Sequence, residues 1–279
     1  MRRTLLALAA LIGCALTATG AAAAAPSWTA PPAGAPFDYQ LGGDYPPAPA
    51  VRVVSRDWFS GRPAGGGRYS ICYVNAFQTQ ADEPGVNRPD ERSNWPADLV
   101  LSSLGDDPNW GGEYLVDIRS PATRRRAVAW LAPMIGRCAA KGFQAVEFDN
   151  LDSWTRFDGT PLAGKVPFGR AEAVAFAALI TRRAHAKGLA VAQKNTPQLG
   201  RRTSLRTVGF DFAVSEQCGR YRECGAYTRV FGRRVFDIEY DDAGARRACA
   251  AIGRTASVVI RDIDLSPPGA TGHRYEVCP

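Results

Sequence analysis

Eight short apolar runs recur along the chain, separated by Gly/Pro-rich or helical stretches, and each is closed or followed by a polar residue. They cover residues 37–41, 51–56, 70–75, 145–148, 189–193, 212–215, 235–238 and 258–260. Rich in Val, Ile and Phe and nearly continuous, they have the pattern of parallel strands covered on both faces. Two helices between them have readable ends. Ser120 followed by Pro121 opens one that runs toward Ala140, and another spans about 170–186. Both close on Lys-Gly, the usual terminator, and both lead into a strand. The first of these strands ends at Asp149-Asn150 and the second at Lys194-Asn195. Repetition of a strand–helix unit implies a parallel sheet, either doubly wound or closed. Eight strands favour an α/β fold of the single (β/α)8 TIM-barrel type, which takes about 250 residues. Two shorter runs, 99–102 and 114–117, are expected to be short strands in a long loop.

The N-terminus has the pattern of a secretory signal peptide over residues 1–25. Arg2 and Arg3 precede an apolar stretch, and Ala23 and Ala25 form a small-x-small cleavage site before Pro26. Leu11-Ile12-Gly13-Cys14 also resembles a lipoprotein box, so anchoring through a lipidated Cys14 is the alternative to free secretion. The remaining residues, 26–279, then form one domain. Without Cys14, six cysteines remain, which in an exported protein read as three disulfides with 15 possible pairings. Cys218 and Cys224 are close enough in sequence to pair across a short loop. Cys72–Cys138 and Cys249–Cys278 are the expected remainder. Their spacing does not suit zinc, and only His185 and His273 could add imidazole. No metal or cofactor is implied, and a monomer is the default.

The net charge is +7, carried mainly by Arg. The run Arg124-Arg125-Arg126 reads as a solvated helix face, and no nucleic-acid fingerprint accompanies it. There is no nucleophile–His pair and no dinucleotide fingerprint. The run ends carry the chemistry: Gln40, Asp57, Asn75, Asp149, Asn195, Glu216, Glu239 and Asp262. In a (β/α)8 barrel these ends converge on the active face. Carboxylates beside aromatic residues suit glycoside hydrolysis, in which one carboxyl protonates the leaving oxygen and the other attacks or activates water. Tyr73, Trp110, Trp154 and Tyr240 could stack on sugar rings.

Seven segments, in order, carry a resemblance. They are Phe37-Asp38-Tyr39-Gln40-Leu41, Ile71-Cys72-Tyr73-Val74, and Trp110-Gly111-Gly112-Glu113 followed by Leu115-Val116-Asp117-Ile118-Arg119. They continue with Glu147-Phe148-Asp149-Asn150-Leu151-Asp152, Gln193-Lys194-Asn195, Ser215-Glu216-Gln217-Cys218 and Phe236-Asp237-Ile238-Glu239-Tyr240. Together they resemble glycoside hydrolase family 114, the endo-α-1,4-polygalactosaminidases. The resemblance implies a (β/α)8 barrel that cuts α-1,4-linked galactosamine polymers internally. It implies Asp149 and Glu216 as the catalytic carboxylates, with Asp149 as nucleophile and Glu216 as acid/base by analogy with retaining α-glycosidase barrels. The chain departs from the family pattern at Phe148, where fungal relatives tend to have Pro.

A deacetylated galactosamine polymer is cationic, so a basic protein needs local acidity to hold it. Asp57, Asp117, Asp149, Asp152, Glu216, Glu239 and Asp262 are expected to supply it. For Asp117 a structural pair with Arg119 or Arg261 is the alternative, for Glu239 a buried ion pair, and for Asp152 a turn cap. Lys194 and Asn195 are expected to bind hydroxyls or to hold Asp149 ionised. Gln40, Tyr73, Asn75, Asn150, Tyr240 and Arg261 complete the expected substrate contacts. A barrel that binds polysaccharide without cutting it, and a hydrolase of another α-glycan, are the alternative functions.

Overall fold

The computed structural model describes residues 27–80 and 95–279. Residues 1–25, expected to be a signal peptide, and with them Cys14, lie outside the described residues. Eight strands pair in parallel in chain order: β1 (Phe37–Tyr39), β2 (Val53–Asp57), β3 (Tyr69–Asn75), β4 (Ala145–Asp149), β5 (Ala190–Lys194), β6 (Phe212–Glu216), β7 (Val235–Glu239) and β8 (Ser257–Arg261). An antiparallel β9 (Tyr275–Val277) pairs with β8. The sheet curls in the manner of a TIM barrel. Its ladder runs from β1 to β9 without returning to β1, so backbone pairing does not close it.

Among the described residues, helices follow only the middle strands. They are α1 (Pro121–Lys141) after β3, α2 (Arg170–His185) after β4, α3 (Gly200–Arg202) after β5, α4 (Cys224–Phe231) after β6 and α5 (Asp242–Ile252) after β7. A π-helical turn, Thr203–Val208, continues α3. The β1–β2 link contains Pro46, Pro47 and Pro49, and the β2–β3 link contains Pro63 and Gly65-Gly66-Gly67. Such residues break helices, so neither link forms one. The expected eight-fold alternation is thus incomplete. The runs at 99–102 and 114–117 are not strands. They make single bridges, Val100 to Val116 and Gln78 to Leu115, beside short 3-10 turns. Leu99, Leu115 and Val116 are apolar because this loop packs on the core.

Helix α1 begins and ends as its sequence requires. The Thr123 amide donates to Ser120 Oγ at 3.0 Å and the Ser120 amide to Thr123 Oγ1 at 3.1 Å, a reciprocal cap. Gly142 terminates it at φ 93°, in the left-handed region open to glycine.

Alternation along the strands sorts side chains into two cores. Phe37, Tyr39, Val53, Ile71, Ala145, Ala190, Ala192, Phe212, Val214, Phe236, Ile238 and Val259 fill the interior of the curl. Cys72, Val74, Val146, Phe148, Val191, Ala213, Val235 and Val258 face outward, and Leu131, Ile135, Phe176 and Ala248 of the helices cover them. Three disulfides join Cys72 to Cys138, Cys218 to Cys224 and Cys249 to Cys278, the expected pairing. They tie β3 to α1, close the β6–α4 loop, and tie α5 to the chain beyond β9.

Candidate active site

The inward parity of β4, β5 and β6 continues past their apolar residues into charged ones. Ala145 is followed on the same face by Glu147 and Asp149, Ala192 by Lys194, and Val214 by Glu216. A polar layer therefore lies on the apolar floor, beneath a cleft of about 910 Å³.

Lys194 is the hub of that layer and is 1% exposed. Its Nζ lies 2.9 Å from Glu147 Oε1, 3.1 Å from Asp149 Oδ1, 3.4 Å from Glu216 Oε2 and 3.0 Å from the Tyr39 hydroxyl. Burial alone would discharge the ammonium, but Asp149, Glu147 and Glu216 push its pKa well above the ordinary lysine value. Burial raises the Glu147 carboxyl against the pull of Lys194. Glu147 also accepts from Tyr39 at 2.8 Å and Ser55 at 3.1 Å.

Asp149 and Glu216 both reach the cleft from this layer. Burial pushes the Asp149 carboxyl up. The Lys194 charge and hydrogen bonds from the Tyr73 hydroxyl (2.7 Å) and the Asn150 amide (2.7 Å) outweigh it, and the net pKa falls below the ordinary value. Glu216 accepts from Tyr240 Oη at 2.6 Å and from Asn195 Nδ2 at 3.3 Å, while its own amide donates to Asn195 Oδ1 at 2.8 Å. The residues after these strand ends, Asn150, Asn195 and Gln217, all have positive φ (61°, 45° and 59°). Asn tolerates this region better than most residues, which suits two of the three turns.

Other expected residues also line the cleft: Asp57, Tyr73, Asn150, Asp152, Asn195 and Tyr240. Asp57 accepts from the Phe59 amide and from Gln80. Asp152 pairs with Arg156 at 3.3 Å. Asn75 sits just behind, donating to Glu113 at 2.9 Å and accepting from Asn150 at 2.9 Å.

Several expected residues turn away from it. Gln40 is one position out of phase with Tyr39, and its amide binds Asp38 and Arg56 instead. Arg261 is fully buried at the β8–β1 seam, bonded to Asp38 and the Tyr39 carbonyl. Asp262 caps the following turn through the Ser266 and Arg274 amides. Asp117 lies in the β3–α1 loop and pairs with Arg119 at 2.7 Å. Glu239 faces the helix layer, where Gly219 donates to it at 2.5 Å. Trp154 packs on the outer core.

Glu239 stands beside Asp237 rather than beside a cation. Burial raises both carboxyls; the Glu239 charge pushes Asp237 up further, while the hydrogen bond from Asp237 draws Glu239 down, so Asp237 holds the proton between them. One oxygen of each, Asp237 Oδ2 and Glu239 Oε2, lacks a protein donor, a need a shared proton meets. The pair anchors the loop after β6, since Asp237 Oδ1 accepts from Ser215 and from the Cys218 amide. Because the folded pKa values are raised, this contribution to stability is full below the ordinary carboxyl range near 4 and is lost as pH rises through the raised values. Asp237→Asn supplies a permanent donor to Glu239. It is expected to flatten the decline above the ordinary carboxyl range by roughly 1–3 kcal/mol, read from denaturant melts.

Residues that strand-end reasoning passed over include Tyr39, Glu113, Arg156, Gln217, Tyr221 and Glu223, of which all line the cleft. Inward parity would have found Tyr39, while the others sit on loops. Cys218, Cys224 and Asp237 cluster closely enough to suggest metal ligands. The two sulfurs are bonded to each other, so they are not thiolate ligands.

Comparison with known proteins follows the same line. An uncharacterized protein of Deinococcus radiodurans is 28% identical over 236 residues, covering 77% of this chain and 66% of that protein. The chain thus spans just under two thirds of that relative's length. Among solved structures, Aspergillus fumigatus Ega3 in complex with galactosamine superposes with a TM-score of 0.70 at 22% identity, covering 90% of this chain and 99% of that one. The glycoside hydrolase domain of PelA from Pseudomonas aeruginosa gives a TM-score of 0.57 at 15% identity, covering 86% and 99%. At these identities the likeness speaks for the fold. The model of glycoside-hydrolase family GH114 matches residues 17–279, and the chain belongs to that family.

Proposed function

We propose that the protein is a secreted glycoside hydrolase that cuts α-1,4-linked, galactosamine-containing polysaccharide within the chain, with Asp149 as nucleophile and Glu216 as acid/base. The observation that carries this is the pair itself. Both carboxyls lie on one cleft floor and share Lys194 Nζ, so an oxygen of each is within about 6.5 Å of the other. Retaining pairs stand at about 5–5.5 Å, a separation inside this bound. Lys194 keeps Asp149 ionised, as attack requires. Glu216 gives its proton to the glycosidic oxygen as an Asp149 oxygen bonds to the anomeric carbon, and the leaving chain departs as an alcohol. Water, deprotonated by Glu216, then displaces Asp149.

The substrate reading rests on charge. The chain is basic, yet the cleft is lined by Asp57, Glu113, Asp149, Asp152, Glu216, Glu223 and Asp264 against one lining cation, Arg156, among the described residues. The galactosamine complex of Ega3 supports an amino sugar as the unit recognised. We read residues 26–279 as one monomeric (β/α)8 domain. Arg261 and Tyr275 support closure, since they reach from β8 and β9 to the backbone carbonyls of β1. The three disulfides fit export.

Incubation with a partially deacetylated α-1,4-galactosamine polymer tests the reading. A ladder of soluble oligomers by mass spectrometry is the expected result. Binding without release would favour a polysaccharide-binding barrel, and neither would reject the substrate.

A further inference from the structure

One short turn in the β3–α1 loop presents two complementary groups to the cleft. Trp110 is 47% exposed, the most open Trp among the described residues, and lies against the cavity. Glu113 follows three residues later and lines the same cavity. The turn is fixed by its own polar groups. The Glu113 amide donates to the Trp110 carbonyl, and the Asp107 amide to the Glu113 carbonyl at 2.7 Å. Asp107 Oδ1 accepts from the Asn109 and Trp110 amides, and Asp106 from Gly112, whose φ of 88° lets the chain double back.

Among the described residues Glu113 has no cation within ion-pair distance, unlike Asp149, Glu216 and Asp152. Asp149 and Glu216 share Lys194, and Asp152 has Arg156. Arg156 is engaged by Asp107 at 3.1 Å as well. The hydrogen bond given to the Glu113 carboxyl comes from Asn75 Nδ2, a neutral donor, and holds Oε2 in place. A fixed carboxyl with no counter-ion among the described residues, beside an open indole face, is an arrangement that a cationic amino sugar completes. The ring's apolar face stacks on the indole, and its ammonium group pairs with the carboxylate.

We propose that Glu113 is the specificity-determining residue for the amine: it binds the 2-ammonium group of the sugar seated on Trp110, and so selects deacetylated units over N-acetylated ones. This rests on the reading that the cleft takes an amino-sugar polymer. The groups around Glu113 add a consequence. Burial raises its carboxyl to about 8, against the Asn75 hydrogen bond, with Asp149 and Asp107 adding to the rise and Arg156 opposing it. Tyr73 from β3 feels this charge as well, which adds to the rise of its own hydroxyl. At neutral pH the empty cleft therefore holds a proton on Glu113. An arriving ammonium replaces that proton, which passes to solvent, so affinity for the polymer rises with pH above 6 for as long as its amines stay protonated.

The test uses the disulfide-bonded enzyme, Glu113→Gln, Glu113→Asp and Trp110→Ala, with fully deacetylated and partially N-acetylated α-1,4-galactosamine oligomers as probes. Glu113→Gln is expected to raise KM for the deacetylated oligomer by roughly 10- to 100-fold. KM for the acetylated one should change far less, and the pH-dependent gain in affinity should disappear. Proton release on binding, measured by calorimetry in two buffers of different ionisation enthalpy, should vanish too. Glu113→Asp should restore part of the discrimination, while Trp110→Ala weakens both oligomers alike. Should Glu113→Gln keep the wild-type preference for the deacetylated oligomer, or lose activity equally on both with no change in proton release, the inference is overturned while the hydrolase reading stands. A wild type that neither binds nor cuts either oligomer overturns both.

Discussion

Glu216→Gln is expected to lower kcat on an α-1,4-galactosamine polymer by roughly 10²–10⁴-fold while the protein stays folded. The amide oxygen can still accept from Tyr240, which now bonds Oε1, while Asn195, which bonds Oε2 at 3.3 Å, gives up the weaker contact. It cannot transfer a proton, so the loss reports on chemistry and not on collapse of the site. Asp149→Asn is expected to abolish turnover for another reason. The neutral side chain keeps its oxygen for the Asn150 amide and Lys194 and turns its NH2 toward the Tyr73 hydroxyl, which can accept from it, but gives up the charge proposed as nucleophile. Leaving-group dependence separates the roles. An aryl glycoside whose leaving group needs no proton should restore the first step in Glu216→Gln and leave Asp149→Asn inert. Circular dichroism and melting curves for each variant check folding. If Glu216→Gln retains turnover within a few-fold, the acid/base assignment falls. If the aryl glycoside rescues Asp149→Asn instead, the roles are exchanged.

The architecture was legible because its signals are local. Apolar runs gave the eight parallel strands within one or two residues at most ends, and Ser120-Pro121 and Gly142 bounded α1. The site was legible only where the strand-end residue also pointed inward. Asp57, Asp149 and Glu216 share the parity of Val53, Ala145 and Val214, and all three line the cleft. Gln40 and Glu239 are equally polar and equally terminal, but they sit one residue out of phase and turn toward other layers. Asn195 is the instructive exception. It is out of phase with Lys194, yet a positive φ swings it back to hold Glu216. Glu113 was hidden for a different reason. It sits on a loop whose path depends on Asp106 and Asp107 bonding to backbone amides, and strand spacing carries no trace of that.

Removing the charge of Lys194 should have the largest effect on stability. The Nζ is the cation within ion-pair distance of Glu147, Asp149 and Glu216, and it sits under them with almost no access to water. Lys194→Met keeps much of the volume and leaves three crowded carboxyls without it. Breaking a buried pair by taking one partner costs roughly 3–5 kcal/mol, because the remaining charge stays desolvated. The sign of the pH dependence follows. Asp149, lowered in the native protein, contributes stability that is present above the ordinary carboxyl range and lost as pH falls through its folded value. Lys194, raised, contributes stability that is full below about 10.4 and lost only as pH rises through its folded value. In Lys194→Met both contributions go, and the carboxyls take up protons to escape one another. Its deficit against wild type in denaturant melts should therefore be largest at pH 7–8 and shrink toward pH 4. Adding Glu147→Gln removes one of the stranded charges from the floor, away from the reacting atoms, and should recover part of the loss at pH 7. A deficit that is the same at every pH would mean that Lys194 acts by packing alone. Its charge would then not be what holds Asp149 ready to attack.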